Sequence, residues 1–295
     1  MAKKFYYGGQ ALIEGVMMRG QKTVATAVRR PDGELVINTQ LLANIYTGRL
    51  RQTPLVRGII VLIETLVLGA KSLFYSANVS LGEEEEEVSG WTVWLIMTVS
   101  LILAVALFFL APLYLTKLLN IESSLLFNIT DGAIRVVIFI AYLKVMTLLP
   151  DIRRVFAYHG AEHKVINAFE AGVPLEVEAV KKYGTAHRRC GTSFIFMVLV
   201  LSIIVFALVG VHAAWLMALS RIVLIPVIAA ISYEVIYFGA RHVNNRMVRA
   251  VLAPGLWLQS MTTREPDDSM LEVSISALRE VVAADQGEPE TQASS

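Results

Sequence analysis

The sequence predicts a mainly α-helical, polytopic membrane protein. Three observations carry the prediction: an excess of apolar residues, their concentration in long blocks, and the confinement of basic residues to a few segments. Of 295 residues, 55% are hydrophobic and 17% charged, with a mean hydropathy of +0.58; soluble domains average about 25% charged residues. The net charge of +1 supplies no global field to attract nucleic acid, so none is expected as a partner. Cys190 is the one cysteine, so no intrachain disulfide forms and a reducing compartment is allowed. Lys3 and Lys4 are followed by no apolar h-region, so no cleaved signal peptide is expected and insertion rests on an internal span.

Residues 1–55 are soluble in character. Val24, Thr26 and Val28 alternate with small residues, Pro31-Asp32-Gly33 supplies turn chemistry, and Glu34 to Thr39 follows, which together predict a β-hairpin. The preceding glycine-rich stretch, Gly8 to Gly20, reads as a loop feeding it. Residues 56–78 are apolar but interrupted by Glu64 and Lys71, which predicts an interfacial or re-entrant helix rather than a span. The acidic run Glu83 to Glu87 completes the 56–90 segment as a solvated linker.

Four blocks have spanning length, roughly Trp91–Leu115, Asn128–Leu149, Phe194–Val211 and Ala214–Phe238. They form two transmembrane pairs, 91–149 and 194–238, around a loop at 150–193. A second soluble segment, 239–284, starts a helix near Ser269 and Glu272 as a capping box, with an apolar stripe of Leu271, Ile275, Leu278 and Val282. The tail, 285–295, is polar and expected to be disordered. Arginine and lysine crowd the N-terminal segment, the 150–193 loop and the C-terminal segment. The turns after the first and third spans offer only Lys117 between them. Four spans with both termini cytosolic place all three basic segments inside.

The chemistry concentrates in the loop. His159-Gly160-Ala161-Glu162-His163 falls in a helix expected from about Arg153 to Ala171, stopped by Gly172 and Pro174. Positions i and i+4 share a helical face with i+3 beside them. Two imidazoles for a metal and a carboxylate as general base follow, the inverted zincin order. Gly160 costs about 1 kcal/mol in a helix interior, tolerable where another segment packs closely. His187-Arg188-Arg189-Cys190 adds two more zinc-type ligands. Glu234, near the cytosolic end of the last span, is a further candidate ligand, or alternatively pairs with Arg241. Asp131 and Arg135, one turn apart within a span, are expected to pair; Arg221 is a further intramembrane charge.

The residues also carry a resemblance. Gly8-Gly9-Gln10-Ala-Leu-Ile-Glu14-Gly15-Val-Met17-Met18-Arg19-Gly20, Asp151-Ile-Arg153-Arg154-Val-Phe156, Tyr158-His-Gly-Ala-Glu-His-Lys164, His187-Arg-Arg-Cys190-Gly-Thr-Ser-Phe194 and Thr262-Thr-Arg-Glu-Pro-Asp-Asp268 resemble the YqhQ family, bacterial membrane proteins described as predicted metal-dependent enzymes. Arg188 departs from the proline expected there. The resemblance implies a multi-pass protein of the bacterial cytoplasmic membrane, with lipid as its surroundings. The expectation is a zinc-dependent hydrolase with Glu162 catalytic. His159 and His163 bind the metal, and His187, Cys190 or Glu234 completes the shell. The rivals are a scaffold with a closed structural zinc on His159, His163, His187 and Cys190, and a transporter working through its intramembrane charges.

Overall fold

The computed structural model describes residues 5–81, 90–209, 214–242 and 244–287, with the backbone alone at 93, 214–215, 217–218 and 221–222. The acidic run at 83–87, the Arg221 side chain and most of the tail lie outside the described residues.

The N-terminal region is a four-stranded antiparallel meander: β1 (Gly8–Leu12), β2 (Gly15–Arg19), β3 (Thr23–Arg29) and β4 (Leu35–Leu41). The expected hairpin is β3–β4, paired from Thr23↔Leu41 to Arg29↔Leu35. Its turn is closed by Asp32, whose Oδ1 accepts from the Glu34 amide at 2.9 Å, and by Gly33 at φ 93°. The glycine-rich stretch is not a loop. It forms β1 and β2, joined by a two-residue turn with Glu14 at φ 50°. The alternation of a strand puts successive side chains on opposite faces, and here both faces are covered. Val16, Met18, Ala25 and Ala27 enter one core with α6 (Pro150–Glu170) and α11 (Asp268–Gln286). Met17 and Val24 enter another with Leu68 of α2 (Val56–Leu81), where Thr26 also meets Ser72 at 3.3 Å.

Between sheet and bundle, a one-turn helix, α1 (Asn44–Thr47), and a 3₁₀ turn lead into α2. Helix α2 is one continuous helix of 26 residues, so the re-entrant alternative falls away. Glu64, which breaks the apolar run in sequence, is buried in ion pairs with Arg19 (2.9 Å) and Arg51. The expected spans follow: α3 (Gly90–Val105) and α4 (Ala111–Leu118), joined without a break through a π-helical turn at Ala106–Leu110, then α5 (Ser124–Met146), α8 (Gly191–Val209) and α9 (Ala214–Arg241). Five helices among the described residues are long and apolar enough to cross a membrane, the fifth being α2. Asp131 and Arg135 pair within α5 at 2.8 Å, buried, as their spacing predicts.

Helix α6 follows α5 directly and ends where expected, with Gly172 at φ 73°. A one-turn helix, α7 (Val177–Val180), leads toward the 185–190 loop. After α9, α10 (Arg246–Thr262) lies against α8, and α11 packs its buried Leu271, Ile275 and Leu278 on the sheet and α6. Helix α11 starts earlier than the capping box proposes. Asp267 caps it by accepting from the Met270 amide at 2.9 Å, while Glu272 pairs instead with Arg29 at 3.2 Å. The helix also reaches Gln286, beyond the expected boundary, because Asp285 is held: its carboxylate accepts from the amides of Gln21 (2.6 Å) and Lys22 (3.2 Å).

Candidate metal centre

Three of the predicted ligands converge. His159 and His163, one turn apart on α6, and Cys190, immediately before α8, bring one ligand atom each within 4.8 Å of one another. His163 and Cys190 are buried and His159 is partly so. The two imidazoles are oriented alike. His159 Nδ1 lies 2.8 Å from the Thr262 carbonyl oxygen, and His163 Nδ1 lies 2.5 Å from that of Thr185. A carbonyl oxygen only accepts, so both Nδ1 atoms carry hydrogen and both Nε2 atoms turn to the shared space.

His159 Nε2 is 3.1 Å from Cys190 Sγ. His163 Nε2 is buried and has no hydrogen-bond partner among the described residues. An orphaned buried nitrogen is costly, and here it faces two other soft donors, so the residues fit a zinc ion. Cys190 Sγ also accepts from the Thr192 amide at 3.4 Å and lies 3.1 Å from the Thr192 hydroxyl.

Glu162 turns the same way. It is buried, and its Oε2 lies 3.6 Å from His163 Nε2. Burial pushes its carboxyl above the usual range, opposed by His159 and by the hydrogen bond from the Gly9 backbone. His187 is near, its ring centroid 5.4 Å from that of His163, but it stands outside the converging group. Its Nε2 lies 3.5 Å from Arg189. Burial first, then the Arg189 charge, pushes its pKa down to about 3, so the ring is neutral.

Glu234 is not part of the centre. Its carboxylate accepts from Arg57 Nε at 2.7 Å and from the Leu55 amide at 3.0 Å, and Arg57 forms a second bond to the other oxygen. The expected partner Arg241 instead contacts Tyr237. The carboxylate is satisfied by Leu55 and by Arg57 in the first turn of α2, which sequence position alone does not bring to α9.

Several supporting residues went unseen in sequence. Gln259 of α10, buried, accepts from the His187 amide at 2.9 Å and donates to the His187 carbonyl (2.7 Å) and Ser193 Oγ (2.8 Å), fixing both ends of the segment that carries Cys190. The 263–266 segment straps α6: the Arg264 amide donates to the Phe156 carbonyl at 2.9 Å, and Glu265 pairs with buried Lys164. A Cβ on Gly160 would stand 1.9 Å from the Arg264 carbonyl oxygen, the close packing for which a helical glycine is tolerated.

The N-terminal motif supports the same helix. A Cβ on Gly9 would stand 2.6 Å from the Met17 carbonyl oxygen and 3.0 Å from Glu162 Cγ, so glycine lets β1 lie against the centre. Glu14 accepts two bonds from Arg154, each 2.6 Å, and one from Tyr158 at 3.3 Å.

These features define a membrane protein with a two-histidine, one-cysteine cluster built between its soluble layer and its helix bundle. The chain belongs to the family described as "Protein of unknown function (DUF1385)", whose model matches residues 53–284. It is 35% identical over 294 residues to a protein of Bacillus subtilis (strain 168) named "Uncharacterized protein YqhQ", covering 94% of this chain and 92% of that one. That likeness bears out the resemblance carried by the motifs. No solved structure matches the chain.

Proposed function

We propose that the protein is a zinc-dependent membrane enzyme, a hydrolase working at the inner leaflet of the bacterial cytoplasmic membrane. The observation that carries this reading is the convergence of His159 Nε2, His163 Nε2 and Cys190 Sγ, with buried Glu162 alongside. Three protein ligands leave one position open, as catalytic zinc sites do, whereas structural sites are closed by four. Bound zinc supplies Lewis acidity and makes water acidic enough to deprotonate near neutral pH. Glu162 is then the proton acceptor, and its burial keeps its basicity above that of a solvated carboxylate. Thr262 and Thr185 hold the imidazoles in the binding tautomer.

Cobalt substitution tests this. The purified protein is expected to bind one metal per chain, and Co²⁺ in its place should show a thiolate charge-transfer band and ligand-field bands that titrate with pH as a solvent ligand ionises. His163→Ala and Cys190→Ser abolish binding, and Glu162→Gln retains the metal while shifting that titration. A pH-independent spectrum that changes in His187→Ala would instead identify the closed structural site, and absence of any bound metal would end the reading.

Topology supports the cytosolic placement. The sheet precedes α2, and α6 follows α5, yet they share one core and the Glu14–Arg154 pair. Two crossings between them, α3–α4 and α5, keep them on one side; a third crossing by α2 would separate them. We therefore read α2 as an interfacial helix, with one face on the sheet and Ile63, Leu66 and Val67 turned outward. Four spans then put both termini, all three basic segments and the metal centre inside. Cysteines introduced at residues 40 and 265 in a Cys190→Ser background are expected to resist an impermeant thiol reagent in intact cells and to react in inverted vesicles. Labelling of either from outside would overturn this topology.

A further inference from the structure

The bundle forms a half-open cavity of about 260 Å³ between the π-helical turn of α3–α4, α5, α8 and α9. Apart from Arg135 and Ser202 its walls are apolar, and Arg135 is neutralised by Asp131. Two phenylalanines of the wall, Phe108 and Phe109, sit on the π-helical turn. Such turns redirect side chains and recur at functional sites.

Helix α8 joins the cavity to the centre. Ile195, Leu199, Ser202 and Phe206 line the cavity at intervals of three and four residues, so they form one stripe. One turn before Ile195 the stripe continues to Thr192, whose hydroxyl touches Cys190 Sγ at 3.1 Å. From Cys190 to Ile195 is about 7 Å along the helix, and from Ile195 to Phe206 about 16 Å more. Phe206 and Ile228, deep in the bundle, are 6% and 1% exposed, whereas Ile195 is 48% exposed. The wall is thus buried at Phe206, toward the far end of α8, and exposed at Ile195, which lies one helical turn from Thr192.

We infer that this cavity is the seat of a single acyl chain, and that the substrate of the metal centre is an amphiphile whose polar linkage lies at His159, His163 and Cys190. The substrate assignment rests on the zinc reading above; the acyl seat stands without it. An engineered cavity of about 150 Å³ holds benzene, so 260 Å³ accommodates a chain of about ten carbons. Neutral, apolar walls favour hydrocarbon over a charged solute. A transported ion finds no polar path there: the two polar wall residues are Ser202, whose hydroxyl donates to the Leu199 carbonyl at 2.7 Å, and Arg135.

Photolabelling the full-length protein in detergent with a medium-chain fatty acid bearing a diazirine at its terminal carbon tests the seat. The label is expected on the 199–206 segment of α8 or on Phe108 and Phe109. Ser202→Trp, and separately Ile228→Trp from the opposite wall, should cut labelling about tenfold or more while leaving the bound zinc unchanged. Retained zinc also reports that each variant is folded. Cys190→Ser should lose the zinc and keep the label. Label spread over lipid-facing positions and indifferent to both tryptophans would overturn the acyl seat with the zinc reading intact. Specific label in a protein that binds no zinc would keep the seat and remove the centre as its reactive end. Competition by diacyl phospholipid or by an N-acylated peptide separates the two sources of such a chain.

Discussion

Gly160→Ala is expected to destabilise the protein, although in an isolated helix the same change stabilises. Alanine is favoured over glycine by about 1 kcal/mol in an exposed helix interior. At this position the new methyl would lie 1.9 Å from the Arg264 carbonyl oxygen and 3.2 Å from the Thr185 side chain. The first of these is backbone and is doubly tied. The Arg264 amide is bonded to the Phe156 carbonyl, and two residues earlier the Thr262 carbonyl holds His159. The strap cannot withdraw without breaking those bonds, and overpacking of this kind costs about 1–3 kcal/mol or more. The net loss should appear as a lower melting temperature of the detergent-solubilised protein and a weakened hold on zinc, because His159 loses its orienting carbonyl. A variant as stable as the parent would show that the strap does not bear on α6.

Gln259→Leu should have a comparable effect by a different route. Leucine fills a similar volume but leaves the His187 amide and carbonyl and the Ser193 hydroxyl without the partner that now satisfies them. Each unsatisfied buried group costs about 1–3 kcal/mol. Gln259 touches none of the three ligands. It positions Cys190 by fixing His187 before it and Ser193 after it, so zinc affinity is expected to fall by about 10–100-fold, the range for groups that orient a ligand. Gln259→Glu keeps the acceptor for the His187 amide and removes the two donated bonds, and should fall between leucine and the parent. Competitive titration with a chromophoric chelator reads the affinity. Equal affinities in all three would remove Gln259 from the support of the centre.

Much of the architecture was legible because it depends on local patterns. Spanning length and apolarity locate α3–α4, α5, α8 and α9. Turn chemistry at Pro31-Asp32-Gly33 locates β3–β4. The stop at Gly172 locates the end of α6 within a residue. The pairing of Asp131 with Arg135 follows from helical spacing alone. Glu64 and Lys71 interrupt the apolar run of α2 in the sequence. The helix's continuity and the partners of Glu64 came from Arg19 and Arg51, which are remote in sequence.

The glycine-rich strands show the opposite case. Four glycines between Gly8 and Gly20 argue against strands by propensity, because glycine loses the most backbone entropy and brings no side chain to pack. The strands form because Gly9 and Gly15 meet neighbouring backbone at distances no Cβ permits, Met17 for one and Ala27 for the other, and because Glu14 anchors to Arg154. Propensity describes a residue on its own; here close approach across the sheet decides.

The sequence by itself determined a chain rich in spanning-length apolar helices with three basic segments beside them, and it named His159, His163 and Cys190, which the fold brings together. Helix periodicity is local, so two histidines four apart must share a face whatever surrounds them. Only the tertiary structure decided which further residues join them. Cys190 is brought in and Glu234 is taken away by Arg57, and His187 is set aside next to Arg189. Those outcomes depend on how α8, α9 and α10 pack, and packing contacts between distant segments leave no period in the chain to read.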